Sequence, residues 1–337
     1  MDAGVSHSLV LSPTGCVFTF GHRPQMSDPI DGGKNPKPKI VKNLPPIASV
    51  AAGNHYSLFV DFDANVWILG SFAATVLNFF TAEPVKIELG NVKIKIAEAS
   101  RNFYYVLLDT EGDVWGCGYN GYGQLGFGNF DDVAVPTKIE DLPKISNVSA
   151  GFYHLVLLDE NGDVWTCGYN SYGQLGRPTD ENKSPFFEKL DLPVKFTAVE
   201  AGDFHTILLD VNGTVWRSES PTQGQIFQPC TIDVRIQFIT AGSERSLLID
   251  EEGGLWCAEA EGTINLTRLI EAETACAVAA SCGKHHIMLD SAGKVWVWGS
   301  NESGQLGLGT FDKVKRPVVN TLLPSLLRYS KAKSARN

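Results

Sequence analysis

The sequence predicts an all-β fold, a seven-bladed β-propeller of four-stranded blades. Three observations carry this prediction: a unit that recurs seven times, apolar runs of strand length within each unit, and a spare strand-like segment near the C-terminal end. A sustained period of 40 to 50 residues is typical of propellers and solenoids. We therefore expect one propeller domain over residues 1–330 and a short basic tail, frayed in solution, over 331–337.

The recurring unit is clearest between Ala150 and Gly176. It contains an Ala-Gly turn, an apolar run, an Asp-x-x-Gly turn, a second apolar run and a glycine-rich loop. The copies align on the residue that ends the first apolar run, with spacings of 49, 48, 50, 51, 40 and 40 residues: Ser12, Asp61, Asp109, Asp159, Asp210, Asp250 and Asp290. This regularity indicates one supersecondary unit repeated around a ring.

Short apolar runs identify the repeated elements as strands. They hold four to six residues rich in Val, Ile, Leu, Phe and Trp, and none keeps a helical period over three turns. In the fourth copy the predicted strands are Ile145–Ser149, His154–Leu158, Asp163–Cys167 and Pro185–Leu190. The Asp-x-x-Gly turn joins the second and third strands, because glycine accepts a positive φ at the last turn position. The second copy departs from this pattern, with Ala64 in place of the glycine.

The two ends of the chain suggest how the ring closes. The first copy starts at its Ala3-Gly4 turn, so we expect it to lack a first strand of its own. The segment from Leu323 to Ser330 mirrors the segment from Leu142 to Ser149. An open ring would leave unpaired strand edges, so we expect Leu326–Ser330 to pair beside Ser6–Leu11 and close it.

Composition limits the compartment and the partners. Hydrophobic residues make up 43% of the chain, but no run is long enough to span a membrane, and no signal peptide is recognisable. Seven cysteines without a Cys-x-x-Cys pair suggest a reducing compartment, with Cys117 and Cys167 buried in equivalent strands. A formal charge of −10 argues against broad nucleic-acid binding. We expect an intracellular protein, cytoplasmic or nuclear, that contacts neither membrane nor nucleic acid.

The unit resembles the repeat of the regulator of chromosome condensation family. The pattern A-G-x-x-H-x-x-x-L-D-x-x-G-x-V-W-x-x-G-x-N-x-x-G-Q-L-G covers about residues 1–330, and three copies keep the complete Gly-Gln-Leu-Gly loop. The resemblance implies a seven-bladed propeller. It leaves the function open, because the family includes exchange factors for a nuclear small GTPase, ubiquitin-ligase and ciliary scaffold modules, a plant UV photoreceptor and a bacterial β-lactamase inhibitor.

No catalytic, cofactor or metal site is predicted. Histidines recur at one place in four copies, with Tyr56, Tyr104 and Arg245 at that place elsewhere: His7, His154, His205 and His285. Because Tyr and Arg are not equivalent zinc ligands, we expect these histidines to bond the backbone within their own blades. For the adjacent pair His285-His286, a metal-binding role stays open as a second interpretation.

Two glycine- or acid-rich motifs also receive structural interpretations. The Gly121–Gly126 loop has the spacing of a dinucleotide fingerprint but is not expected to open a helix. Asp61–Asn65 resembles the start of a calcium loop, yet Val66 and Phe72 occupy positions that require Gly and Glu, so we expect a modified hairpin.

Six tryptophans occupy one strand position, where large rings suit packing between blades: Trp67, Trp115, Trp165, Trp216, Trp256 and Trp296. In the UV photoreceptor the sensing tryptophans instead follow the Ala-Gly turn. Here the first position after that turn carries no tryptophan in any copy. Light sensing by that route is therefore not expected.

The variable positions after the Ala-Gly turn are the candidate binding face, since in the family they lie on one face around the central shaft. The predicted partner-binding residues are Asn54, His55, Asn102, Phe103, Phe152, Tyr153, Asp203, Phe204, Ser243, Glu244 and Lys284. Four of these, from three consecutive blades, are aromatic, and clustered exposed aromatic side chains are typical of protein-binding hot spots. The alternative is that the rings fold onto the shaft or a neighbouring blade.

Two functions follow. The first is a non-enzymatic platform that docks a protein partner on this face. The second is a guanine-nucleotide exchange factor for a Ran-like small GTPase, since Asp203 matches a position where the family's exchange factor presents an acidic residue to its GTPase. That factor's inserted wedge hairpin and basic N-terminal arm have no counterpart here. A regulatory domain of a larger kinase or ligase, or an unusual inhibitor, is a further possibility.

Overall fold

Seven four-stranded antiparallel sheets form the molecule. The structure, a computed structural model, describes residues 1–22, 33–73, 78–218, 227–243, 245–259, 267–269, 275–282 and 284–324. Its 28 strands follow one another in chain order, and each group of four forms one sheet. Within the described residues the helical content is one 3₁₀ turn, Asp180–Asn182. The predicted fold class, a seven-bladed propeller, is confirmed.

The first four blades span the N-terminal half of the chain. Blade 1 contains β1 (Asp2–Ala3), β2 (His7–Leu11), β3 (Val17–His22) and β4 (Lys34–Ile40). Blade 2 contains β5 (Ile47–Ala52), β6 (Tyr56–Asp61), β7 (Val66–Ala73) and β8 (Asn78–Lys86). Blade 3 contains β9 (Ile94–Ala99), β10 (Tyr104–Asp109), β11 (Val114–Gly118) and β12 (Val133–Lys138). Blade 4 contains β13 (Ile145–Ala150), β14 (His154–Asp159), β15 (Val164–Tyr169) and β16 (Lys183–Lys189), close to the predicted bounds.

The last three blades complete the ring. Blade 5 contains β17 (Phe196–Ala201), β18 (Thr206–Asp210), β19 (Val215–Ser218) and β20 (Phe227–Pro229). Blade 6 contains β21 (Ile236–Ala241), β22 (Arg245–Asp250), β23 (Leu255–Glu259) and β24 (Thr267–Arg268). Blade 7 contains β25 (Cys276–Cys282), β26 (His285–Asp290), β27 (Val295–Gly299) and β28 (Val314–Val319).

Strand position within a blade explains the sequence of each strand. The second strand is enclosed by neighbouring blades, so β14 is apolar along most of its length and every residue in it is buried. The fourth strand lies on the outside and leaves one edge unpaired. Lysine and proline occur there, as in β4 and β16, and they discourage edge-to-edge pairing with another chain.

The hairpin between the second and third strands is held by its aspartate. In blade 4, Asp159 Oδ1 accepts backbone N–H bonds from Asn161 and Asp163, and Asp159 Oδ2 accepts the indole N–H of Trp165 at 3.1 Å. Five further blades repeat the indole bond at 2.7 to 3.0 Å. Blade 1 has Ser12 in place of the aspartate and Phe18 in place of the tryptophan. The hairpin aspartate therefore fixes both the turn and the tryptophan.

Seven apolar clusters fill the seven contacts between neighbouring blades. Each of the six repeat tryptophans packs on the cluster between its own blade and the preceding one, so the predicted role in packing between blades is confirmed. The cluster between blades 7 and 1 includes Ala3, Val10, Ile287 and Val297. The ring is therefore closed by direct packing of the last blade on the first.

One prediction about the start of the chain is wrong. Blade 1 has a short first strand, in which Asp2 pairs with Leu9 and Ala3 pairs with Ser8. The side chain of Asp2 accepts N–H bonds from Ala3 and from Ala52 of blade 2, both at 2.8 Å, which anchors even a two-residue strand. The predicted pairing of Leu326–Ser330 beside Ser6–Leu11 lies outside the described residues and stays a prediction.

Candidate protein-binding face

A ring of hydrogen bonds around the shaft links each blade to the next. The Nε2 atom of His154 lies 2.9 Å from the Thr206 hydroxyl of the following blade. The same contact, at 2.9 Å, joins three further pairs: His7–Ser57, His205–Ser246 and His285–Ser8. For His154, His205 and His285 the expected bond to the backbone of the same blade is wrong, because the Nδ1 atom has no partner among the described residues. In each case the partner is a Ser or Thr of the next blade, and it directly follows that blade's own residue at the histidine position.

Burial determines the charge of these histidines. It lowers the pKa of His154, His205 and His285 to about 3, so the rings are neutral near pH 7. Tyr56 and Tyr104 also link their blade to the next, through neutral hydroxyls: the Tyr56 hydroxyl donates to the Tyr104 carbonyl, and the Tyr104 hydroxyl donates to the His154 carbonyl at 2.8 Å. The second histidine of the adjacent pair, His286, contacts the Ser281 hydroxyl at 2.9 Å.

Arg101 crosses the centre of the ring, a feature that sequence reasoning missed. It replaces the glycine of the Ala-Gly turn in blade 3. Its Nη1 lies 2.8 Å from Asp203 Oδ1 in blade 5, and its Nη2 donates to the carbonyls of Ala241 in blade 6 and Ser281 in blade 7. Both side chains of the ion pair are nearly enclosed, with 11% and 13% exposed. One side chain therefore connects four blades.

Two predicted face residues, one of them the partner of Arg101, are nearly enclosed. Asp203 is only 9% exposed and its carboxylate faces Arg101, while Asn102 is 7% exposed. An acidic group held by a buried guanidinium is a poor ligand for a docking protein, because that contact would first have to be broken. Neither side chain contributes much to the outer surface.

Seven aromatic rings form a contiguous patch on blades 3 to 5, here called the aromatic surface: Tyr119, Tyr122, Phe152, Tyr153, Tyr169, Tyr172 and Phe204. Ring centroids are 4.4 Å apart for Tyr122 and Tyr153, and 4.9 Å apart for Tyr172 and Phe204. Phe152 lies 5.9 Å from Phe204. The structure thus brings three predicted residues together and adds four loop tyrosines.

The glycine-rich loops hold these tyrosines in place. In blade 4, Asn170 Oδ1 accepts the N–H of Leu175, and Gln174 Oε1 accepts the N–H of Tyr172. Leu175 is fully buried, which fastens the loop to the core. Blade 7 builds the same loop with Ser300 and Ser303 where blades 3 and 4 carry tyrosine. The loop therefore folds without tyrosine side chains. The sequence already shows this exchange of serine for tyrosine between blades.

The other predicted face residues are not among these seven rings, although the Phe103 carbonyl accepts the Tyr119 N–H at 2.7 Å. Phe103 is half-buried and packs on the cluster between blades 2 and 3, as the alternative interpretation expected. His55 is half-buried, with its ring 5.6 Å from that of His22, and burial lowers the pKa of both. Asn54 and Ser243 are half-buried, Lys284 is exposed, and Glu244 lies outside the described residues.

Both structural interpretations of the ligand-like motifs are confirmed. Gly126 is followed by Phe127, which bridges to Phe186 on blade 4 rather than opening a helix. The Asp61 carboxylate accepts N–H bonds from Asp63, Asn65 and Trp67, as a hairpin aspartate does. Among the residues that the structure describes, no three His, Cys, Asp or Glu side chains converge as a metal site.

Two further observations concern the cysteines and membranes. Cys117 and Cys167 are fully buried, as predicted, and all six described cysteines are free thiols. Across the described ranges, no helix has the length and apolarity that crossing a bilayer requires.

Comparison with known proteins identifies the family. Sequence models of the regulator of chromosome condensation (RCC1) repeat match residues 111–158, 161–209 and 292–335, and a second form of the repeat matches 94–124, 145–174 and 276–305. The chain belongs to the RCC1 repeat family. The matched segments fall on blades 3 to 5 and blade 7, where the repeat signature is most complete.

Individual relatives are distant. The Xenopus laevis regulator of chromosome condensation is 29% identical over 132 residues, which is 37% of this chain and 31% of that protein. Human protein RCC2 is 28% identical over 186 residues, 44% of this chain and 35% of that protein. The matched parts span only about a third of these relatives' length.

Solved structures agree over nearly the whole chain. Prp20p from Saccharomyces cerevisiae superposes with a TM-score of 0.79 at 20% identity, covering 93% of this chain and 87% of that one. Human WBSCR16 gives 0.78 at 19% identity, covering 93% and 92%. At this identity the likeness shows the shared fold.

Proposed function

We propose that this propeller is a non-enzymatic platform that binds a protein partner through the aromatic surface. The single observation that carries the proposal is the contiguity of the seven rings on blades 3 to 5. Tyr172 and Phe204 leave 49% and 39% of their area in solvent while contacting each other. Exposed, clustered and mutually buttressed rings are the usual centre of a protein interface.

The rigidity of the patch supports the proposal. The rings stand on turns and loops fixed by buried Leu125, Leu175 and the shaft histidines, so little ordering entropy is lost on binding. Tyrosine also suits this role chemically, since its ring offers apolar area and its hydroxyl a hydrogen bond.

Affinity capture tests the proposal. The immobilised chain is compared with a variant carrying F152A, Y153A and F204A, and captured proteins are quantified by mass spectrometry. The matched control carries F62A and F80A, which remove phenyl rings that are 66% and 57% exposed on blade 2, outside the patch. The proposal expects a partner that is lost from the first variant and kept by the control. Equal capture by all three chains contradicts it.

Guanine-nucleotide exchange on a Ran-like small GTPase is the second candidate. It is favoured by the fold shared with Prp20p, a protein whose reported structure concerns binding to Gsp1p and histones. The Arg101–Asp203 ion pair disfavours it, because the acidic residue is already engaged. Release of fluorescent GDP from a panel of small GTPases separates the two candidates: acceleration by micromolar chain supports exchange, and an unchanged rate removes it.

A further inference from the structure

We propose that the aromatic surface takes an arginine-rich segment of its partner. The inference rests on the proposed function and names the chemistry of the partner. Two properties of the surface carry it, namely the negative charge of the loops that build it and the packing of its rings.

Taken together, the two loops that supply the tyrosines carry four acidic and two basic residues. The loop of blade 3, residues 118–133, contains Asp131 and Asp132 and no basic residue, and the loop of blade 4, residues 168–183, contains Asp180 and Glu181. The two basic residues of the blade 4 loop are engaged within the chain: Arg177 contacts Glu188 at 2.8 Å, and Lys183 contacts Glu181 at 3.8 Å and lies 4.4 Å from the Phe130 ring centre. Because Lys183 partly balances Glu181, the excess negative charge of the two loops comes from Asp131, Asp132 and Asp180.

One carboxylate of these loops lies close to the aromatic surface. Asp132 Oδ1 accepts the N–H of Asn120, while its Oδ2 is buried and has no hydrogen-bond donor among the described residues. Asp132 is close enough to Tyr119 to act on its hydroxyl: burial, then Tyr122, Tyr153 and Asp132, raise the pKa of Tyr119. Because one of its two oxygens has no donor, this carboxylate adds to the negative potential that a cationic partner meets.

Ring packing favours a planar cation over a compact one. The centroids of Tyr122 and Tyr153 are 4.4 Å apart with a 48° tilt, and those of Tyr172 and Phe204 are 4.9 Å apart with a 44° tilt. Rings in contact leave no cage for an ammonium group, whereas Tyr172 and Phe204, which are 49% and 39% exposed, offer ring area on which a guanidinium can stack. Arginine is also less strongly hydrated than lysine, which lowers the cost of placing it on an apolar ring.

Fluorescence anisotropy with defined peptides tests the inference. The probe is a fluorescein-labelled peptide of alternating glycine and arginine. A lysine peptide of the same length and charge reports charge alone, and a proline-rich peptide of the same length reports the other common ligand of aromatic grooves. The account expects the arginine peptide to bind about tenfold more tightly than the lysine peptide at physiological ionic strength.

Two variants separate stacking from charge. Y122S with Y172S gives the loops the residue that blade 7 carries at Ser303, so folding is expected to be retained, and the arginine preference should disappear. D131N with E181Q should weaken both cationic peptides while the preference for arginine persists, because the rings remain. The F62A, F80A chain should behave like the wild type.

The outcomes overturn the inference independently of the proposed function. Equal binding of the arginine and lysine peptides, tighter binding of the proline peptide, or an arginine preference that survives Y122S with Y172S contradicts it. If a captured partner still depends on Phe152, Tyr153 and Phe204 in any of these cases, the platform stands and only its ligand chemistry is wrong. Self-association through the patch would appear as a concentration-dependent mass in light scattering and would also contradict the inference.

Discussion

Arg101 shows how one residue can change the role of a repeat position. In most other blades the second residue of the Ala-Gly turn is glycine, which lets the turn backbone lie against the side chain three residues later, as Gly151 lies against His154. The arginine instead reaches across the shaft to blades 5, 6 and 7. A buried ion pair adds little net stability by itself, but removing one partner leaves the other charged and unpaired.

Replacing Arg101 with methionine is therefore expected to lower the free energy of unfolding by about 3 kcal/mol. Adding D203N to that variant removes the stranded charge and should recover part of the loss. Urea denaturation followed by tryptophan fluorescence measures both effects. If R101M were as stable as the wild type, the contact between Arg101 and Asp203 would not be formed in solution.

The shaft histidines make stability depend on pH. Burial, then neighbouring His205, lower the pKa of His154 from 6.5 to about 3, with Arg101 acting the same way and Asp203 opposing. Between those values the unfolded chain binds a proton that the folded chain does not. This contribution to stability is fully present above pH 6.5 and is lost as the pH falls toward 3.

A glutamine at position 154 should reduce that dependence, because it can still bond Thr206 but does not titrate. The slope of unfolding free energy against pH should fall by up to about 1.4 kcal/mol per pH unit in this window. Urea midpoints at a series of pH values give the slope directly. An identical slope in H154Q would mean that other groups control acid unfolding.

At the scale of the element, the hairpin of blade 2 differs from the others at one position. Ala64 has a φ of 61°, in the left-handed region, where Gly162 of blade 4 has 78°. Both turns make the same closing bond, from the last turn N–H to the aspartate carbonyl. An alanine in this region costs about 1 kcal/mol relative to glycine.

A64G should therefore stabilise the protein by up to about 0.6 kcal/mol after the entropy of the more flexible unfolded chain is subtracted. The reverse change, G162A, should destabilise it, since an added Cβ would also meet Phe196 O and Lys195 Cβ at 3.1 Å. Thermal melts of the two variants supply the comparison. A destabilised A64G would contradict the strained turn.

The strands and hairpins could be predicted because their causes are local. Apolar runs bounded by Asp-x-x-Gly define β14 and β15 without any knowledge of the neighbouring blades. The partners of Arg101 could not be predicted, because Asp203 lies 102 positions away and only the closed ring brings the two together. Tyr122 and Tyr172 could be recognised in the sequence because blade 7 has Ser303 at the same place. The contact of Tyr172 with Phe204 could not be predicted, because it depends on how blades 4 and 5 pack together.

At the scale of the molecule, the contact between the last and first blades has the same form as a contact between consecutive blades. The Ser8 hydroxyl contacts His285 Nε2 and donates to the Gln305 carbonyl. The Thr206 hydroxyl likewise contacts His154 Nε2 and donates to the Gln174 carbonyl. The Ser8 contact joins blade 7 to blade 1, and the Thr206 contact joins the consecutive blades 4 and 5. A closed ring makes them energetically equivalent.

S8A and T206V should then destabilise the protein similarly, by about 1 to 3 kcal/mol, because each leaves a buried ring nitrogen and a buried carbonyl without their partner. Chemical denaturation of the two variants side by side is the measurement. A large effect of T206V with none from S8A would indicate that blades 7 and 1 separate in solution.

The central claim is that the aromatic surface on blades 3 to 5 binds a protein partner. Isothermal titration of one captured partner against the wild type, the F152A, Y153A, F204A chain and the F62A, F80A control tests it most directly. The account predicts that loss of the patch rings weakens binding by at least about tenfold while the control matches the wild type. Undiminished affinity in the patch variant, with its fold intact by circular dichroism, would contradict the claim.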